Sequence, residues 1–470
     1  MHNQPSFQDV SELRFAVNGP VFLPTDPGFA AETAAFNLAT VHAPDLAFGA
    51  LDADDVAAAV RWAAARNIPV AVQSTGHGAT NMVESGLLIS TRRMLELSID
   101  PLERTARVGA GVKWKALADA AAVHGLMGLS GSTSDVGIIG YTLGGGLPVL
   151  GRRYGFASDH VVSFDLVTAD GTLRVVDAAG EPELFALLRG GKGNLGIVTA
   201  IEFRLFPDDA LYGGGIHYPG ESAAQVLEAF AAWAPGLPED ASASLAFVRL
   251  PDMELVPGPL RGKFLVHLRF AHQGDPVLAA RLLEPMRACA PVMMDSTGPL
   301  PYSAFDAIHQ DPDSPVPVRE CGFLLSGIDA GAREAILARL GAGVESPVLI
   351  AELRLLGGAL RGVPGSDCVG GRDAAYSFFM AGIAVPPTMA PLQEALHGVR
   401  AALEPWSTGR TFVNLHGHSA DAADRSRAWD PESYRRLAEA KAALDPQNLF
   451  RFGPVVEPLR AAADTAPAPV

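Results

Sequence analysis

A glycine-rich stretch, residues 128–155, constrains this chain more than any other feature. It has too little side-chain bulk to build a core of its own, so other elements must hold it. The chain is long enough to supply them. Its 470 residues predict two or three domains at roughly 100–200 residues each. A hydrophobic content of 48% with 19% charged residues excludes a disordered chain or a coiled coil.

Composition excludes several partners. A net charge of −16 argues against nucleic acid and anionic membrane, which demand clustered Lys and Arg. Cys289, Cys321 and Cys368 have no CxxC spacing and cannot all pair, so no disulfide framework or zinc site is indicated. Residues 1–10 lack a basic and an apolar region, so no secretory signal is visible. Of the two long uncharged stretches, 136–151 is too short for a span of ~20 apolar residues. The other, 374–393, is broken by three prolines and by Ser377, Thr388 and Gln393. A soluble, cytoplasmic enzyme is the expectation, with its oligomeric state open.

Helix and strand signals alternate from Asp52. Acidic residues open a helix there, with Val56, Val60 and Ala63 on one face. Asn67 ends it, and residues 68–73 read as a buried strand entering the loop Ser74-Thr-Gly-His-Gly78. Strands are expected at 87–90 and 105–108, a helix at 114–123, and a hairpin at 161–176 turning on Asp170-Gly171. A short helix follows at 181–188, then a strand at 196–206 with Ile197, Thr199, Ile201, Phe203 and Leu205 on one face. Pro207-Asp-Asp with Gly213-Gly-Gly marks an internal boundary. Beyond it, strand-like runs at 264–270, 349–356 and 376–385 alternate with helices such as 332–340. The fold class read from this is α+β, with an antiparallel sheet in the second domain. The tail from Ala461 is Ala/Pro-rich and expected to fray.

The usual phosphate motifs fail. Gly190-Gly-Lys-Gly-Asn-Leu lacks the Ser or Thr and the opening glycine of a Walker A loop, and Gly144-Gly-Gly-Leu-Pro-Val lacks the third glycine of a dinucleotide fingerprint. No Gly-x-Ser-x-Gly elbow supports a serine hydrolase. His416-Gly-His418 alone is a weak metal signal, so no metal is expected. What fits is the order of the pieces: Ser74-Thr-Gly-His-Gly78, then Gly131-Ser-Thr-Ser-Asp-Val-Gly137 running on to Gly144-Gly-Gly146, then Leu-Val-Thr-Ala-Asp-Gly171, then Leu188-Arg-Gly-Gly-Lys-Gly-Asn-Leu-Gly-Ile-Val198. Small residues in such loops let backbone N–H groups approach a pyrophosphate.

With these runs the sequence resembles the berberine-bridge-enzyme-like FAD oxidases of the vanillyl-alcohol oxidase/p-cresol methylhydroxylase (PCMH) superfamily. Their typical runs read Arg-Ser-Gly-Gly-His, Gly-x-Cys-Pro-Thr-Val-Gly, Val-Thr-Ala-Asp-Gly and Leu-Arg-Gly-Gly-Gly-Gly-Asn-Phe-Gly-Val-Val. Phe412-Val-Asn-Leu415 and Leu444-Asp-Pro-Gln-Asn-Leu-Phe-Arg451 extend the likeness to the C-terminus. The resemblance implies a two-domain FAD-linked oxidase: a PCMH-type FAD domain over 35–210, a substrate domain over 211–410, and a segment 411–457 returning to the first. It implies FAD held by Gln73, Ser74, Thr75, Gly76, His77, Gly78, Thr133, Ser134, Asp135, Val136, Gly137, Gly140, Gly144, Ile197, Asn414 and Asn448. His77 would carry the flavin on its 8α-methyl; the alternative is a polar loop residue beside noncovalent FAD.

Three departures qualify this. Thr133 stands where bicovalent members have cysteine, so a His-only link is expected. Gln73 replaces the arginine that opens the first motif. Phe412 replaces a tyrosine near the flavin and excludes a phenolate base there. Asn414 is retained, to bond the flavin edge or only nearby backbone.

For the proton acceptor, strand alternation places Glu352 and Arg354 on one face, either over the flavin or as a surface ion pair. His416 and His418 follow Asn414 in alternation and could share its face. His217, Tyr302 and His309 are further candidates, and Tyr141 and Tyr154 lie in the glycine-rich region, where core packing is their usual role. The expected chemistry is hydride transfer from a carbon beside an alcohol or amine, of a natural-product intermediate among others, with electrons passing to O2 to give H2O2. Val136, where oxygen-reactive relatives often keep valine, favours an oxidase. The rival reading is a redox-neutral flavoprotein cyclase or isomerase, or a ligand-binding flavoprotein, favoured by Phe412.

Overall fold

The structure, a computed structural model, describes residues 7–459 apart from 253, 255–259, 364 and 420. The tail from Ala461 and most of the stretch inspected for a leader lie outside the described residues.

The expected helix forms as Ala53–Ala65, with the Asp52 carboxylate capping the Asp55 N–H at 2.8 Å. Val56, Val60 and Ala63 are fully buried, and Asn67 closes the element with a left-handed φ of 54°. The chain then enters Val70–Gln73, which pairs in parallel with Leu87–Ser90, itself parallel to Leu46–Gly49. A five-stranded antiparallel sheet follows, built from Leu97–Asp100, Thr105–Gly109, Ile197–Arg204, Val161–Val167 and Leu173–Asp177 in that order. The face expected for 196–206 is observed: Ile197, Thr199, Ile201, Phe203 and Leu205 are all buried. The glycine-rich stretch lies against this scaffold, its few large residues (Ile138, Ile139, Leu143, Leu150) joining the same core.

A second core begins at Tyr212. It lies under one face of a large antiparallel sheet whose long strands run in the order Leu211–Pro219, Phe264–Gln273, Ala241–Arg249, Ile350–Leu355, Tyr376–Ile383 and, at the edge, Val318–Leu325. Alternation sends Phe247, Leu268, Leu353, Phe378 and Phe323 into this core, beneath helices such as Ala223–Trp233 and Met389–Ala402. Residues between those positions lie on the opposite face of the sheet.

Gly213–Gly215, read as part of an internal boundary, lies inside the strand Leu211–Pro219, where a side chain at Gly215 would strike the His267 ring 2.0 Å away. One expectation is corrected. Residues 412–418 do not form an alternating strand. The Leu415 N–H turns back onto the Phe412 carbonyl at 2.9 Å, and Gly417 is left-handed at φ 79°.

Candidate active site

The loop after Val70–Gln73 is fixed by backbone. Phe36 N–H donates to the Thr75 carbonyl at 2.9 Å, and Gly76 has φ 75° with no room for a side chain, since a Cβ would lie 2.6 Å from Ala35 Cα. Folding 36–37 back over the loop puts the Phe36 ring face to face with His77, centroids 3.7 Å apart and planes 15° apart. Thr75 Oγ1 holds His77 Nδ1 at 2.8 Å, while Nε2 is buried without a hydrogen-bond partner among the described residues. Burial pushes the imidazole down to about 4, against the pull of Asp135 at 4.0 Å and with the help of Lys113. His77 is therefore neutral at pH 7, with one nitrogen committed and the other unspent.

The second loop meets the first at Gly137, where a Cβ would lie 3.3 Å from Ser74 Oγ, another buried atom without a partner. Asp135 is anchored by Lys113 Nζ at 2.6 Å, and the Val136 carbonyl accepts from the Trp114 N–H at 3.1 Å. Thr133 is half-buried and offers no sulfur. Beyond this the wall opens: a Cβ on Gly78, Gly140 or Gly193 would meet nothing within 4 Å. Gly144 is the reverse case, because a Cβ would strike Asn414 Oδ1 at 2.1 Å. Asn414 Nδ2 donates to the Tyr141 carbonyl at 2.8 Å, which locks the C-terminal turn to this wall. The Tyr141 hydroxyl is buried without a partner among the described residues, and burial raises it well above its ordinary value.

Facing this wall, the inner side of the large sheet is polar or small. Glu352 is 6% exposed. Its Oε1 accepts from Ser244 Oγ at 2.6 Å and Arg269 Nη1 at 2.9 Å, and its Oε2 accepts from Arg354 Nη2 at 2.9 Å. Burial alone would raise its pKa, but Arg354 and Arg269 outweigh burial and hold the carboxyl well below the usual range. His309 sits 3.4 Å from the same carboxylate, and burial lowers its pKa. His217 and His267 stack at 4.0 Å on neighbouring strands, and burial lowers both. Arg269, His309 and Arg354 also line a small cavity with Ser244 and Leu147.

Glu320 lies on the same side of the sheet, between Arg319 and Cys321 on Val318–Leu325 and opposite Ala381. Among the described residues no hydrogen bond or ion pair reaches its carboxyl, and burial raises it to about 7. Sequence reasoning missed it, although the signal was present: Cys321, Phe323 and Leu325 alternate into the second core, which leaves Glu320 on the other face.

Comparison with known proteins decides the class. Residues 44–177 match the family described as FAD binding domain. The chain is 29% identical to (R)-6-hydroxynicotine oxidase of Paenarthrobacter nicotinovorans, over 94% of this chain and 97% of that protein. The chain is an FAD-linked oxidoreductase. Its fold matches 6-hydroxy-D-nicotine oxidase from Arthrobacter nicotinovorans at a TM-score of 0.82 and 25% identity, covering 94% of this chain and 98% of that one. It also matches the BBE-like 1 protein of Physcomitrella patens at a TM-score of 0.83 and 19% identity, covering 96% and 100%. These are two-domain FAD-linked oxidase structures with antiparallel sheets. Among the described residues no helix is long and apolar enough to cross a membrane.

The wall fits FAD on its own terms, with unspent buried atoms on Ser74, His77 and Tyr141 beside glycines that leave open space. Within this FAD-linked oxidoreductase, several residues tied to the cofactor by motif also make contacts within the scaffold. Gln73 spends its amide on His42 at 2.9 Å and the Ala34 carbonyl at 3.0 Å. Ser134 is claimed by Asp306, which accepts from its N–H at 2.7 Å and its hydroxyl at 2.6 Å. Ile197 points into the first core at 1% exposure. Asn448 sits at the far end of the first motif's strand, since its neighbour Leu449 accepts from the Val70 N–H at 2.9 Å.

The two histidines also separate. His416 Nε2 contacts Asp424 at 3.2 Å, and His418 Nδ1 contacts the Thr80 carbonyl at 3.1 Å. With no strand at 412–418, alternation no longer relates either histidine to Asn414. Tyr302 and Tyr154 are occupied as well, by Ser130 at 2.8 Å and Gln273 at 2.7 Å.

Proposed function

We propose that this chain is an FAD-dependent oxidase that takes hydride from a carbon bearing an alcohol or amine and passes electrons to O2. The observation that carries the reading is His77: a neutral imidazole, clamped at Nδ1, stacked on Phe36, with Nε2 unspent. In this reading Nε2 carries the covalent link to FAD, and Ser74, Gly76, Gly137, Gly140 and Asn414 line its bed. FAD bound there supplies a hydride acceptor and the route to H2O2.

The protein's own part is to orient the donor and hold its proton. Glu352 does not suit the second task, because two guanidinium groups keep it ionised and its affinity for a proton is low. It sets Arg269, Arg354 and His309 in place. Proton acceptance falls to Glu320, whose carboxyl is unclamped and raised to about 7, close to a working pH. Likeness to a nicotine oxidase along 94% of the chain supports an amine or alcohol as donor. The redox-neutral reading rested on Phe412. That ring is 4% exposed and packs edge-on against Phe156 at 5.3 Å, so the missing hydroxyl belongs to a core position.

Anaerobic absorbance spectra with a panel of amines and alcohols test the proposal. A hydride donor bleaches the flavin band, and air restores it with release of H2O2. Turnover of a ligand to an isomer without bleaching would replace the oxidase reading with the redox-neutral one.

A further inference from the structure

Lys192 occupies a place that suits glycine. The FAD-oxidase runs that this chain resembles have Gly there, in Arg-Gly-Gly-Gly-Gly-Asn, and the backbone is left-handed, with φ 57°. A side-chain-bearing residue pays for that conformation. The side chain lies along the glycine-rich stretch. Nζ donates to the Gly140 carbonyl at 2.8 Å, and Cε lies beside Gly144, 2.8 Å from where a Cβ would stand. Asn414 Oδ1 is nearest to that same point, at 2.1 Å. Lys192 thus joins Gly140, Gly144 and Asn414 in one wall, next to the open space at Gly140 and Gly193.

Among the described residues no ion pair reaches Lys192, and burial lowers it to about 8, which leaves it cationic at pH 7. Lys192 is half-buried, with a cationic head that no carboxylate among the described residues neutralises. Placing a cation at a strained backbone position, where glycine would serve, points to an anion arriving on that wall.

We propose that Lys192 is the fixed positive charge of the cofactor wall, set to stabilise the negative charge that the flavin ring acquires when it is reduced. This rests on the FAD reading above and adds the ring, not the pyrophosphate, as the group that Lys192 faces. A charge near the reacting end of a flavin shifts its electron affinity. Lys192 is then a tuning residue that touches the cofactor and takes no proton in turnover.

The test uses FAD-loaded protein and sulfite, which adds through sulfur to flavin N5 and leaves one negative charge on the ring. Lys192→Met keeps the volume without the charge, Lys192→Gly restores the residue suited to this backbone, and Lys192→Arg keeps the charge. Sulfite titration, read by bleaching of the flavin band, should give a Kd about 10- to 100-fold weaker for the Met and Gly variants. The Arg variant should stay within about threefold of wild type. Dye-equilibrated midpoint potentials should fall in the same two variants. Unchanged sulfite affinity and potential in fully loaded Met and Gly variants would overturn the proposal. So would loss of FAD retention with unchanged sulfite affinity in the loaded fraction, which would assign Lys192 to the pyrophosphate. A wild-type protein with no flavin at all would overturn the FAD reading itself, a separate and visible failure.

Discussion

The cofactor wall and the sheet that faces it are built on opposite plans. The wall is made by main chain. At Gly76 and Gly144 there is no room for a side chain, at Gly78 and Gly140 open space takes its place, and the loops are pinned by contacts such as Phe36 N–H to Thr75. The sheet face is made by side chains gathered from separate strands: Ser244, Arg269, Glu320, Glu352 and Arg354. The difference separates two tasks. A wall of backbone fits one cofactor and tolerates little change, whereas a lattice of side chains can be rewritten for a new donor while the strands beneath keep their core.

If the sheet face holds the substrate's proton, the largest effect belongs to Glu320. Glu320→Gln should slow anaerobic flavin reduction by about 10²–10⁴-fold with FAD content unchanged. The wild-type rate should rise with pH through about 7, because only the ionised carboxylate accepts a proton. A rate within about threefold of wild type would return the role to another group and break the contrast drawn here.

The next effect tests whether Glu352 is an anchor. Glu352→Gln leaves Arg269 and Arg354 facing a neutral amide in the interior. Breaking a buried pair from one side costs about 3–5 kcal/mol, read as a lower urea midpoint. A variant that slows reduction by the general-base factor while keeping wild-type stability would make Glu352 the acceptor instead.

The smallest effect separates Glu320's cost from its use. Its carboxyl is raised from 4.5 to about 7, so between those values the folded state binds more protons than the unfolded chain. Wild-type stability should fall as pH rises across that window. Glu320→Gln should be more stable than wild type at pH 8 by about 1–3 kcal/mol and equal to it at pH 4.

Legibility in the sequence follows the same division. The helix Ala53–Ala65 and the strand Ile197–Arg204 were readable because burial imposes a period on neighbouring residues. The loops at 74–78 and 131–146 were readable because backbone geometry demands small residues in a fixed order. The contacts that decide the site's chemistry were not. Ser134 and Asp306 are 172 residues apart, and Arg269 and Glu352 are 83 apart. No local pattern announces such pairs. Motif likeness also leaves unread the contacts that its residues make with the scaffold. The ending around Asn448 is a structural latch in which buried Lys441 Nζ reaches Asp445 at 3.1 Å and the Asn194 carbonyl at 3.1 Å, tying the C-terminus to the Gly-Asn-Leu run. Residues 412–418 look like a strand by alternation, but a left-handed Gly417 and a bond between Leu415 and Phe412 make them a turn.

The central claim is that the wall holds FAD through His77. Acid precipitation of purified protein followed by peptide mass mapping tests it most directly. The account predicts a yellow precipitate and a flavin mass on the peptide containing His77, with the flavin released by acid in His77→Ala. Complete release of flavin from the wild type, or a flavin mass on any other peptide, would contradict it.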